Sequence, residues 1–142
     1  MGDFWDENII INTAQQPPRF YVLDWESART GRPGSDVGPF CAYMEFVVRG
    51  NQAASAAASV ILRNFIDTYS RISIRDTCLA QDTLFHWGIA YIVWAPRNPG
   101  GKPLVHEFVK EGVNFLVHFR DKAFLALLPV KTLLPDSPTG GN

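Results

Sequence analysis

Asp3 and Asn8 stand five residues apart in Gly2-Asp3-Phe4-Trp5-Asp6-Glu7-Asn8, and a second carboxylate, Asp24, closes the apolar run Val22-Leu23-Asp24. A third segment, GRPGSDVG from Gly31 to Gly38, brings Asp36 to the start of an apolar stretch. A carboxylate, an amide five positions on, and a later carboxylate at a strand end are the residue types that phosphoryl transfer needs. One carboxylate accepts the proton of an attacking hydroxyl, while an amide oxygen and the second carboxylate ligate Mg2+ against nucleotide phosphates. Taken singly, each is an ordinary polar group of a turn or an acidic loop. Their joint order and spacing carry the signal.

These residues need elements to position them. Asn8 to Asn12 (NIIIN) and Phe20 to Asp24 (FYVLD) are β-prone runs separated by TAQQPPR, where Pro17 and Pro18 cannot belong to a central strand. The pattern predicts a β-hairpin with a longish loop. A turn centred near Gln16 pairs Asn12 with Phe20 and Asn8 with Asp24, placing amide and carboxylate side by side at the open end, with Asp3 facing the acceptor.

The loop WESARTGRPGSD then leads to a helix N-cap at Ser35 or Asp36. Four helices are predicted, each bearing apolar periodicity: Asp36 to about Arg49, with Pro39 in its first turn; Ala53 to Tyr69; Asp76 to Trp94, capped by Asp76; and about Leu104 to Arg120. The last carries a stripe of Val105, Phe108, Val109, Val113, Leu116, Val117 and Phe119. The closing LLPDSPTGGN is expected to fray. The predicted fold is α+β, mainly α, a short hairpin followed by about four packed helices. Residues 1–134 form one domain, with the loop and hairpin in 1–36 and the helices in 37–134, and 135–142 form a flexible tail.

Composition agrees with one folded domain: 142 residues, 46% apolar and 19% charged. A net charge of −1 gives no footprint for nucleic acid or an anionic membrane. The charge is uneven, however, since residues 1–45 hold seven acids against three bases. Cys41 and Cys78 fall in apolar helical patterns and read as buried thiols, and the start lacks the features of a signal peptide, so a cytoplasmic location is expected. The longest apolar stretch, Leu84 to Ala95, has 12 residues, short of the roughly 20 that span a bilayer.

Other groups have bland readings. His86, His106 and His118 lack metal-ligand spacing. Trp87, Tyr91 and Trp94 share a helix face suited to core packing, with a pocket wall as the alternative. Glu107 and Glu111 belong to an exposed face, with Glu107 pairing weakly to Lys110; their alternative is attraction of a cationic acceptor. Arg63, Arg71 and Arg75 are read as solvated.

GDFWDEN, LDWE and GRPGSDVG, in that order, resemble the C-terminal lobe of the aminoglycoside phosphotransferase and choline kinase-like family, a protein-kinase-like fold. That family's pattern is HGDxxxxN, an IDWE-like strand end, then a Gly/Pro-rich turn with Asp before an apolar helix. The resemblance implies Asp3 as catalytic base, Asn8 and Asp24 as ligands of the Mg2+ that carries ATP, and Asp36 as a structural carboxylate that caps its helix and braces the catalytic loop. It further implies transfer of the γ-phosphoryl group to the hydroxyl of a small-molecule acceptor. Met1 stands where the family has His, and the chain starts at the catalytic loop. The expectation is therefore a lobe inactive alone, able to self-associate through the surface an N-terminal lobe would cover. The alternative is a catalytically inactive kinase-like fragment, either a truncated gene model or a binding or regulatory module.

Overall fold

Strands β1 (Ile9–Asn12) and β2 (Arg19–Val22) form an antiparallel hairpin, followed by helices α1 (Gly34–Gly50), α2 (Ser55–Ile72), α3 (Thr77–Trp94), α4 (Val105–His118) and the short α5 (Lys122–Leu125). The fold is α+β and mainly α, as the sequence pattern predicts. The computed structural model describes residues 1–73 and 77–134, so Arg75, the expected cap Asp76 and the expected tail at 135–142 lie outside the described residues.

The hairpin register differs by one residue from expectation. Ile9 faces Val22, Ile10 faces Tyr21, Ile11 faces Phe20 and Asn12 faces Arg19. Both registers set apolar against apolar on three successive rungs, but the observed one gives Phe20 an isoleucine partner and Asn12 an arginine, whereas the expected one opposes Phe20 with an asparagine. Cross-strand packing of aromatic with β-branched side chains decides between them. Ile9 at the base packs against the core, while Ile10, Ile11, Phe20 and Tyr21 are exposed.

Helix α1 is the centre of the molecule. Val37, Phe40, Cys41, Tyr43, Met44 and Phe46 are all buried, so it is apolar around its circumference rather than along one stripe. It lies against α2 and α3, and α3 in turn lies against α4. Glycines permit the close approach. A Cβ on Gly38 would lie 2.7 Å from the Trp87 backbone nitrogen of α3, and one on Gly88 would lie 2.8 Å from the Gly112 carbonyl oxygen of α4. The expected caps need correction: α1 is capped by Pro33, with no side-chain cap hydrogen bond, and Pro39 is its sixth residue, in the second turn. The helix starts earlier than Asp36, at Gly34, whose missing side chain lets the backbone lie close to Asp82 and Thr83 of α3.

The described residues after α4, up to Leu134, are built into the fold. Asp121 caps α5, its Oδ1 accepting from the backbone N–H of Ala123 and Phe124 at 2.9 and 3.3 Å. A 3-10 helix at Pro129–Leu133 follows, and Leu125, Val130 and Leu133 are fully buried, so the chain at Leu133 packs instead of fraying. On α4 the buried side chains are Phe108 and Phe115, whereas Val113 and Val117 of the predicted stripe face outward. Trp87 and Tyr91 are core, but Trp94 is 41% exposed, and Cys78 is exposed while Cys41 is buried. Both depart from expectation because α3 turns a different side to solvent near each end. Glu107 does not pair with Lys110. Arg49 of α1 takes both carboxylates, Nη2 to Glu107 at 3.0 Å and Nη1 to Glu111 at 2.7 Å, with its guanidinium 4.1 Å over the Phe108 ring. Among the described residues no helix is long and apolar enough to cross a membrane.

Candidate active site

The opening loop is held at several points on either side of Asp3. The carboxylate of Asp36, in the first turn of α1, accepts from the Gly2 backbone N–H at 2.7 Å and from the Met1 amine at 2.8 Å. The side chain is thus turned to the loop and not to its own helix end. On the other side, Phe4 stacks on Phe40 at 5.0 Å between ring centroids, and Trp5 packs on Tyr43 at 5.2 Å. The loop closes on itself through Asn8, whose backbone N–H donates to the Trp5 carbonyl at 3.2 Å and whose side-chain amide donates to the Asp3 carbonyl at 3.0 Å. Asp3 itself is exposed.

Asn8 also joins loop to hairpin, its carbonyl accepting from Leu23 N–H at 2.9 Å. Leu23, not Asp24, is therefore opposite Asn8, which corrects the expected pairing. Asp24 comes one residue later, at the same open end of the hairpin. It has φ 60° and ψ 53°, and among the described residues no other non-glycine has positive φ. That left-handed conformation costs a non-glycine residue roughly 1–2 kcal/mol, with Asp and Asn the side chains that tolerate it best. The turn it makes is closed by the Trp25 indole N–H, which donates to the Val22 carbonyl at 2.7 Å.

These donors suit magnesium. Only an N–H can face the Asp3 carbonyl, so the Asn8 side chain must direct its nitrogen there, leaving its oxygen for another contact. That oxygen and the exposed Asp24 carboxylate are hard donors of the kind Mg2+ takes, in the small number it uses when phosphates and water complete its shell. Among the described residues no cluster of three or more His, Cys, Asp or Glu side chains is placed to hold a metal.

Two further features went unread in the sequence. Strand alternation puts Ile10 and Tyr21 on the same hairpin face as the Asn8–Leu23 rung, and Ile10, Tyr21 and Leu23 are all exposed. This apolar face adjoins Asn8 and Asp24, and the alternation of the strands was the signal for it once the register was known. The second feature is Tyr43. Burial pushes its hydroxyl up to about 12, and the charges of Asp3, Asp6 and Glu7 add to the shift. The acids of the opening loop therefore act by charge on Tyr43, whose ring also packs on Trp5 and Trp94. Only tertiary packing brings Tyr43 to them.

Comparison with models of protein families, with curated proteins and with solved structures found no match.

Proposed function

We propose that this chain is the C-lobe of an ATP- and magnesium-dependent small-molecule phosphotransferase of the aminoglycoside phosphotransferase and choline kinase-like type. The supporting observation is the convergence at one end of the hairpin of a pinned Asp3 loop, a buried Asn8 whose amide nitrogen is tied to the Asp3 carbonyl, and Asp24 in a left-handed turn. Asp3 takes the proton from the acceptor hydroxyl as that oxygen bonds to the γ-phosphorus and the bond to ADP breaks. Asp36 acts through the backbone, fixing Gly2 and so the position of Asp3. Ile10, Tyr21 and Leu23 offer a flat apolar surface for a nucleotide base. Asn8 and Asp24 would hold magnesium, which would supply positive charge against the phosphates. The reading includes a cytoplasmic location, where Mg-ATP is available.

Titration calorimetry with ATP, with and without magnesium, tests it. Wild type is expected to bind ATP only with magnesium. Asp24→Asn keeps a side chain that accepts the left-handed turn but should lose at least tenfold in affinity. In a protein whose N-terminal lobe completes the site, Asp3→Ala and Asp24→Ala are each expected to abolish turnover. Near-normal turnover in either, or Mg-ATP binding unaffected by Asp24→Asn, overturns the assignment. No binding by the isolated chain favours the inactive kinase-like module.

A further inference from the structure

A cavity of about 400 Å3 lies between the opening loop, the 25–33 loop, the start of α1 and the C-terminal half of α2. Asp3, Asn8 and Asp24 do not line it. Its volume falls in the range of small-molecule sites, roughly 300–1,000 Å3. The walls are aromatic: Phe4, Phe65, Tyr69 and Trp25 all contribute. Their rings are set by the fold, since Phe65 lies 6.1 Å from Phe4 and 6.0 Å from Tyr69 between centroids, and the Trp25 indole is tied to Val22.

The polar groups lean one way in charge. Two arginines, Arg29 and Arg32, are among the lining residues. Arg32 is held by Asp82 at 2.9 Å, whereas no described carboxylate lies within ion-pair distance of Arg29. Among the described lining residues the one carboxylate, Asp36, is already engaged by the Gly2 N–H and the Met1 amine. The Tyr69 hydroxyl has no hydrogen-bond partner among the described residues and adds a neutral donor.

We infer that this cavity binds a planar aromatic carboxylate, its ring among Phe4, Phe65, Tyr69 and Trp25 and its carboxylate on Arg29. The aromatic walls supply dispersion and apolar contact with a flat ring. A guanidinium free of an internal partner supplies a charge-assisted, geometrically matched contact for the anion. A cationic ligand of the same shape meets Arg29 and Arg32 unfavourably. This inference does not depend on phosphotransfer, because the lining residues are not those proposed to hold Mg-ATP.

Three probes sharing one ring and differing in charge test it by titration calorimetry on the whole chain: 2-naphthoate, 2-naphthamide and 2-naphthylmethylammonium. Naphthoate is expected to bind at least tenfold more tightly than the ammonium compound. Arg29→Gln, a change at an exposed position, should weaken naphthoate at least fivefold and leave naphthamide unchanged, with wild-type circular dichroism. Binding of the ammonium compound equal to that of naphthoate, absence of naphthoate binding at millimolar concentration, or unchanged naphthoate affinity in Arg29→Gln overturns the inference. Mg-ATP titrated separately reports on the phosphotransferase reading alone.

Discussion

Asp36 does more for the opening loop than for the helix that carries it. Its charge-assisted bond to Gly2 joins residues 34 positions apart, so losing it releases a long-range tie. Asp36→Ala is expected to cost about 1–3 kcal/mol in denaturant unfolding, because the Gly2 amide loses a charged acceptor, and to speed proteolytic cleavage near Phe4 and Trp5. Unchanged stability and cleavage would show that aromatic packing alone holds the loop. Glu45 poses a different question. Burial raises its pKa, Arg49 opposes this and Glu111 adds to it. A carboxyl whose pKa is raised by folding binds its proton more tightly in the native state, so stability is greatest below its unfolded value and falls as pH rises through the carboxylate range. Glu45→Gln removes that dependence. The variant should melt a few degrees above wild type at pH 7, with the difference vanishing as pH falls below the ordinary carboxylate range; thermal melts across pH check the sign.

At the scale of elements, glycines decide how near the helices come. Replacing Gly38 with Ala should gain up to about 1 kcal/mol in helix propensity. The added methyl would meet the α3 backbone at Trp87, which cannot swing aside as a side-chain tip can. Overpacking costs about 1–3 kcal/mol and wins, so Gly38→Ala is expected to be destabilised, while Gly31→Ala, with open space around its Cβ, should be near neutral. Paired denaturant melts measure the contrast. The hairpin shows how much of an element is legible beforehand. Two alternating runs and a Pro-containing loop sufficed to predict it, yet the register needed the pairing of Ile9, Ile10 and Ile11 with Val22, Tyr21 and Phe20. A loop's length locates a turn only to within a residue, and one residue moves Asn8 from Asp24 to Leu23.

At the scale of the molecule, α1 is wrapped by α2 and α3 and tied to α4 by Arg49, while the hairpin stands at the periphery with Phe20 66% exposed. Exposed apolar residues along a two-stranded edge favour association with further strands or copies. Light scattering is expected to show mass rising with concentration, and Phe20→Ser with Ile11→Thr should reduce it. A monodisperse wild-type monomer at high concentration would contradict this.

The amino-acid sequence by itself determined the class of fold and the order of its main elements, and it offered Asp3, Asn8, Asp24 and Asp36 as candidates, because periodicity, turn residues and motif spacing are local properties. Tertiary structure alone decided which partners they meet. Asp36 turns from its helix to Gly2, Glu107 and Glu111 turn to Arg49, and Leu133 enters the core. Each outcome depends on groups far apart in the chain finding the burial or hydrogen bonding that their own neighbours do not provide.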